Sequence, residues 1–228
     1  MCFSAGASFT AGVMLSIVGT ETYRKVHKPR QLVLASIPLF FAVQQFAEGV
    51  VWLTIGKPDH AVTQAVASYI FLIFAQVVWP VMVPLSVLIL EKNKNMKRIL
   101  SVLLALGIAV ALYYTYGLIF IRDVNAQIIG LHIVYRDTTY DIQGAVVVLL
   151  YIASAIAPMF VSTIKKIHFV GIIMSIALIV SGIFYIQCLT SVWCFFAAII
   201  SFVVFYIVSD AHKLFHLERL NLKLVNKI

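Results

Sequence analysis

A chain of 228 residues that is 62% hydrophobic and 11% charged, with a mean hydropathy of +1.02, cannot clothe a water-soluble globule, which carries roughly 25% charged residues. Lipid is the expected solvent, and one compact bundle uses up 25.4 kDa. The net charge of +8 does not point to nucleic acid. The basic residues sit in short segments between apolar runs, with no zinc-finger spacing or basic–aromatic groove, so membrane lipids are the expected partner.

The opening Met1–Phe9 has no basic leader and no cleavage site, so no signal peptide is expected. Seven apolar runs then follow that reach the length, about 17–25 residues, needed to cross a hydrocarbon core as a helix, the third being longer still. They run over Ala5–Thr22, Leu32–Ile55, Val62–Leu90, Ile99–Ile121, Ile142–Thr163, Ile167–Gln187 and Thr190–Ser209. Lipid permits helices or closed barrels, and runs without period-two alternation are helices. The first is the weakest, being short and rich in Gly, Ser and Thr. The third holds Trp79-Pro80 and Pro84, each proline removing a helical hydrogen bond, and a kink is expected there. Between the fourth and fifth, Leu131–Tyr135 alternates and Arg136–Tyr140 is turn-like, which predicts a short hairpin, read either as a lid or as a plain surface loop.

Charge sets the orientation. Arg24, Lys25, Lys28, Arg30, Lys92, Lys94, Lys97, Arg98, Lys165, Lys166, Lys213, Arg219, Lys223 and Lys227 fall on one side, leaving Lys57, Arg122 and Arg136 of the 17 on the other. The richer side is cytoplasmic. The expectation is therefore an all-α polytopic bundle of about seven transmembrane helices in the inner (plasma) membrane, N-terminus outside and C-terminus cytoplasmic. Residues 1–209 form the membrane domain. Residues 210–228 form a basic amphipathic tail, in which Leu214, Leu217, Leu220 and Leu224 share a face.

Glu48 is the ionisable residue placed well within a span, at a cost of several kcal/mol unless neutralised, paired or hydrated. Gln44, Glu48 and Trp52 share its face at a spacing of four, with Gln45 beside them. Two readings stand: a site for a proton, ion or substrate, and a hydrogen-bonded knot that holds the bundle. Cys2, Cys188 and Cys194 map to the outer side, as do His60 and His132. Thiols with imidazoles can hold a soft metal, copper or zinc; a disulfide and inert packing are the alternatives. Tyr113, Tyr114, Tyr116, Tyr135, Tyr140 and Trp193 gather toward the outer interface, read as an aromatic belt with a binding pocket as the alternative. His212 and His216 share the spacing of the last-helix zinc pair of seven-helix hydrolases such as the alkaline ceramidases. Those families add a further histidine and acidic partners from earlier helices; the second span here has no histidine, and the third has neither His nor Asp.

The opening Met-Cys-Phe-Ser-Ala-x-Ala-Ser-Phe at Met1–Phe9, the stretch FAVQQFAEGVVW at Phe41–Trp52 and SVWCFFAA at Ser191–Ala198 resemble an uncharacterised bacterial family of multi-pass membrane proteins. The resemblance implies no activity. It draws attention to Cys2, Gln45, Glu48, Trp52, Trp193 and Cys194, which the topology also places in the outer half.

The expected function is a polar pocket floored by Gln44, Gln45 and Glu48 with Trp52 and Trp193 about it. It would bind a small molecule or ion for transport or sensing, with Cys2, Cys194 and His132 as candidate metal ligands. The alternatives are a membrane-embedded metal- or thiol-dependent hydrolase and a structural membrane protein. No complete catalytic set is visible, so an enzyme is the less favoured of these.

Overall fold

The computed structural model describes residues 4–120, 124–130, 132–136, 142–184, 191–194, 196 and 198–210. In chain order these form α1 (Ala5–Arg24), α2 (Leu32–Thr54), α3 (Ala61–Leu72), a π-helical segment (Ile73–Val78), α4 (Trp79–Leu90), α5 (Lys94–Phe120), the strands β1 (Asn125–Ile129) and β2 (His132–Arg136), α6 (Ile142–Val161), α7 (Lys165–Phe184) and α8 (Ser191–Asp210). The π segment joins α3 and α4 into one continuous rod from Pro58 to Leu90.

Among the described residues six helices are long and apolar enough to cross a membrane: Pro29–Thr54, Pro58–Leu90, Lys94–Phe120, Gly144–Val161, Lys165–Phe184 and Ser191–Asp210. The helix α1 has the length but is not among them. Its composition has a packing cause. Gly12 lies under the Phe46 ring and Gly19 under Leu39, while Phe9 of α1 covers Gly49 of α2. A Cβ at any of the three glycines would come within 2.9 Å of a neighbouring side chain. Small residues that let two helix backbones approach closely are how helices associate in lipid. Part of the Gly, Ser and Thr content that weakens the hydropathy of α1, Gly12 and Gly19 above all, is thus the face it presents to α2.

The outward faces are apolar. Val102, Leu112, Ile119, Leu149, Ile176 and Ile183 are each more than half exposed. Burying such side chains in apolar surroundings is worth about 1.5–3 kcal/mol each, so this surface suits acyl chains. The interior combines an apolar core, Leu34, Phe41, Trp79, Val87, Met174 and Val204 among it, with fully covered polar groups at Gln44, Gln45, Glu48 and Glu91.

The expected disturbance around Trp79-Pro80 is present, as a π-helical turn. The Trp79 N–H reaches back to the Phe74 carbonyl. Residue 80 is proline and has no N–H to offer, so the Ala75 carbonyl is left without a backbone donor. The Tyr151 hydroxyl of α6 donates to it at 2.6 Å. Pro84 likewise deprives the Pro80 carbonyl of its helical partner. Gly107 of α5 packs directly on that carbonyl, so closely that a Cβ there would sit 1.9 Å from the oxygen.

The hairpin is also present, with one difference from the pattern read in the sequence. The partner of His132–Arg136 precedes it. The strands pair antiparallel from Asn125↔Arg136 to Ile129↔His132, turning at Gly130, whose φ of +64° favours a residue without a Cβ. The turn-like residues 137–140 lie outside the described residues.

The end away from the hairpin is fastened by Glu91. Its carboxylate accepts from the Lys92 and Asn93 N–H groups, the Thr163 N–H and hydroxyl, and the Ser162 hydroxyl. It thereby ties the α4–α5 turn to the α6–α7 turn. Burial opposes the charge. The side chain is covered, yet it sits at the rim of the bundle with few atoms around it, so the hydrogen bonds from Asn93, Thr163 and Lys92 prevail and hold the carboxyl down at about 2. Nearby, Lys166 pairs with Asp210 and lies over the Tyr206 ring.

Candidate functional site

The helix α2 places Gln44, Gln45 and Glu48 on the side turned into the bundle, and none of the three has any exposed surface. The Ser191 hydroxyl, at the start of α8, donates to Glu48 Oε1. Gln45 and Ser8 of α1 are the other polar side chains near enough to interact with the carboxyl group, though neither bonds Oε2 with ordinary geometry. Three helices distant in sequence therefore converge on one carboxylate, and among the described residues no basic side chain pairs with it.

One turn nearer the middle of the bundle, Gln44 Oε1 accepts from the Trp79 indole N–H at 2.9 Å. Trp79 stacks on Phe41 with ring centroids 3.9 Å apart. Cys194 of α8 is a buried free thiol beside Gln44 and Glu48. Trp193 meets the Tyr151 ring edge-on at 5.7 Å.

These groups are not saturated. Gln44 Nε2, Gln45 Nε2 and Oε1, Glu48 Oε2, Trp52 Nε1 and Trp193 Nε1 are buried without a hydrogen bond of ordinary geometry, although Gln44 lies close enough to the Cys194 thiol, and Gln45 to Glu48, to interact. A buried unmade bond costs about 1–3 kcal/mol. A gathering of both donors and acceptors in that condition is a place where a bound molecule or water would be stabilised.

Below this polar layer lies a cavity of about 70 Å³. Trp79, Trp193 and Cys194 close it toward the polar layer, and Leu34, Val87 and Ile207 line its far end. The Ser86 hydroxyl in its wall is occupied by the Val83 carbonyl.

The hairpin covers the near end of the bundle. Ile133 is fully buried against Val51 and Ala67, Tyr135 stacks on Phe71 at 4.8 Å, and Val134 packs on Val192. The Gln64 side chain donates to the Ala126 carbonyl at 3.3 Å. Burial holds the His132 imidazole below its ordinary pKa.

Of the residues singled out from the sequence, Gln44, Gln45, Glu48, Cys194 and Trp193 come together. Trp52 lies in the neighbouring apolar cluster under the hairpin, with Val51 and Ile133. Cys2, Cys188, Tyr140, His212 and His216 lie outside the described residues. Among the described residues no three of His, Cys, Asp and Glu form a group that could hold a metal ion.

Sequence reasoning missed Ser191, Ser8, Trp79 and Tyr151 as parts of this region. Ser8 and Ser191 fall within the stretches that carry the family resemblance. Trp79 stands beside the proline that marked the kink. For Tyr151 the sequence offers no signal, because its partner is a main-chain carbonyl some 76 residues away.

A helical bundle with one small β-hairpin, six apolar membrane-length helices among the described residues, lipid-suited outer faces and buried polar groups defines a multi-pass membrane protein. Within that class the chain belongs to DUF6629, a family of unknown function, whose model matches residues 1–216. No curated protein and no solved structure matches the chain.

Proposed function

We propose that this protein binds a small ligand in the half of the bundle beneath the hairpin, with Gln44, Gln45 and Glu48 as the recognising groups. The observation that carries the reading is the set of unpartnered donors and acceptors around Glu48, next to a cavity. A knot that served packing alone would satisfy its polar atoms internally. The chain would sit in the inner membrane with seven spans, α1 included, the hairpin outside and the basic turns in the cytoplasm. That orientation is supported by the charge asymmetry of the loops. The ligand would reach the site from the outer side for transport or sensing, with the hairpin as its lid.

The test is a pair of conservative variants. Glu48→Gln keeps the shape and can still accept from Ser191. It should leave unfolding in detergent within about 1 kcal/mol of wild type while removing ligand-induced thermal stabilisation. Lost stability with unchanged stabilisation by ligand would instead mark a packing knot.

A metal-dependent version, with Cys2, Cys194 and His132 as ligands and copper or zinc as the ion, is supported by the buried free thiol of Cys194 and by an imidazole whose burial favours its neutral form. Elemental analysis of the purified protein and of Cys2→Ser decides it: equal metal content, or none, removes the metal.

A further inference from the structure

The cavity below the polar layer has a shape and a chemistry that narrow the ligand class. Its walls extend from Trp79 to Val87 on α4 and from Tyr151 to Met159 on α6. Eight residues on each helix give about 12 Å along the bundle axis. The 70 Å³ open to the centre of a water-sized sphere, drawn out over that length, makes a tube about 1.4 Å in radius for the centres and so about 2.8 Å to the walls, the half-width of one extended hydrocarbon chain and not of two. Leu34, Ile37, Val83, Val170, Met174 and Val204 are among the lining side chains. Such a space holds water poorly and apolar molecules well.

Polarity enters at one end. Trp193, in the wall and only 8% exposed, has an indole N–H without a partner. Directly beyond Trp79, Trp193 and Cys194 stand the unpartnered atoms of Gln44, Gln45 and Glu48. Donors and acceptors are mixed there, which suits a head group that both donates and accepts. Among the described residues no basic side chain joins them, and an anionic head would be set against the Glu48 carboxyl group.

We infer that the ligand is a single-chain, uncharged amphiphile, such as a monoacylglycerol or long-chain alcohol, with its hydrocarbon chain in the cavity between α2, α4, α6, α7 and α8 and its hydroxyl head at Trp193 and the Gln45–Glu48 group. The placement of the head rests on the ligand reading given above; the placement of the chain rests on the cavity alone.

Tryptophan emission reports the chain directly. Trp79 and Trp193 line the cavity and are 5% and 8% exposed, so bulk lipid reaches them poorly. The protein is placed in nanodiscs of unbrominated phosphatidylcholine and titrated with a monoacylglycerol brominated along its chain. Saturable quenching is expected, reversed by unbrominated monoacylglycerol. It should be lost in Ala155→Phe, which fills the cavity from α6. Quenching that rises linearly without saturation, or that does not respond to the competitor, overturns the proposal on the wild-type protein alone, whether or not the variant folds.

Two further arms separate the parts. A brominated fatty acid at neutral pH should bind more weakly than the monoacylglycerol, and Glu48→Gln should narrow that difference. If both bind alike in wild type and variant, the head-group assignment and the polar-site reading fail together while the chain site stands. If the monoacylglycerol gives thermal stabilisation that depends on Glu48 yet leaves Trp79 and Trp193 unquenched, the chain lies elsewhere and the cavity proposal fails while the polar site stands.

Discussion

Replacing Tyr151 with phenylalanine should destabilise the protein by about 1–2 kcal/mol, and the reason lies in another helix. The Ala75 carbonyl has lost both possible backbone donors. The Trp79 N–H is engaged by Phe74, and residue 80 is a proline. The Tyr151 hydroxyl supplies the missing bond at 2.6 Å, fully inside the bundle. Removing it leaves a buried acceptor unmade, which costs about 1–3 kcal/mol. Hydrogen bonds between membrane helices tend to the lower part of that range, about 0.6 kcal/mol on average and about 1.7 at most in measured cycles. The decisive measurement is a double-mutant cycle with Pro80→Ala, followed by reversible unfolding in mixed micelles. Alanine restores an N–H at position 80, so the helix can then satisfy Ala75 itself. The cost of Tyr151→Phe should fall to a few tenths of a kcal/mol in that background. An equal cost in both backgrounds would refute the compensation and leave the ring packing against Tyr114 and Trp193 as the role of Tyr151.

Gly107→Ala should cost about 3 kcal/mol or prevent accumulation of folded protein, because the new methyl meets an immovable main-chain oxygen rather than a side chain that can turn aside. Gly182→Ala, where a Cβ meets nothing, is the matched control and should be neutral or slightly stabilising. Glu91 predicts an acid sensitivity. Its carboxyl is held at about 2 against an ordinary 4.5, so its contribution is complete above about pH 4.5 and disappears as the pH falls toward 2. Holding the carboxyl at about 2 and not 4.5 corresponds to about 3 kcal/mol. The stability gap between wild type and Glu91→Gln should thus be wide at pH 7 and closed near pH 2; a gap independent of pH would refute it.

The sequence by itself determined the solvent. Too few charged residues and long apolar runs leave a helical membrane bundle as the way to satisfy the backbone, and the placement of the runs followed from length alone. A lone carboxylate at Glu48 with two glutamines beside it was equally legible, because an ionisable group amid apolar residues has to face inward. Tertiary structure decided what those groups meet. Ser191 lies 143 residues from Glu48, and no local pattern marks a serine that will donate to a carboxylate on another helix. The same holds for Tyr151 and the Ala75 carbonyl. The two prolines pointed to a disturbed helix, but the π turn, the hydroxyl that completes it and the glycine that receives the freed Pro80 carbonyl depend on how α5 and α6 pack against it. The apolar cavity was invisible for a further reason: a void is a property of the space several helices fail to fill, and no single helix carries its signature.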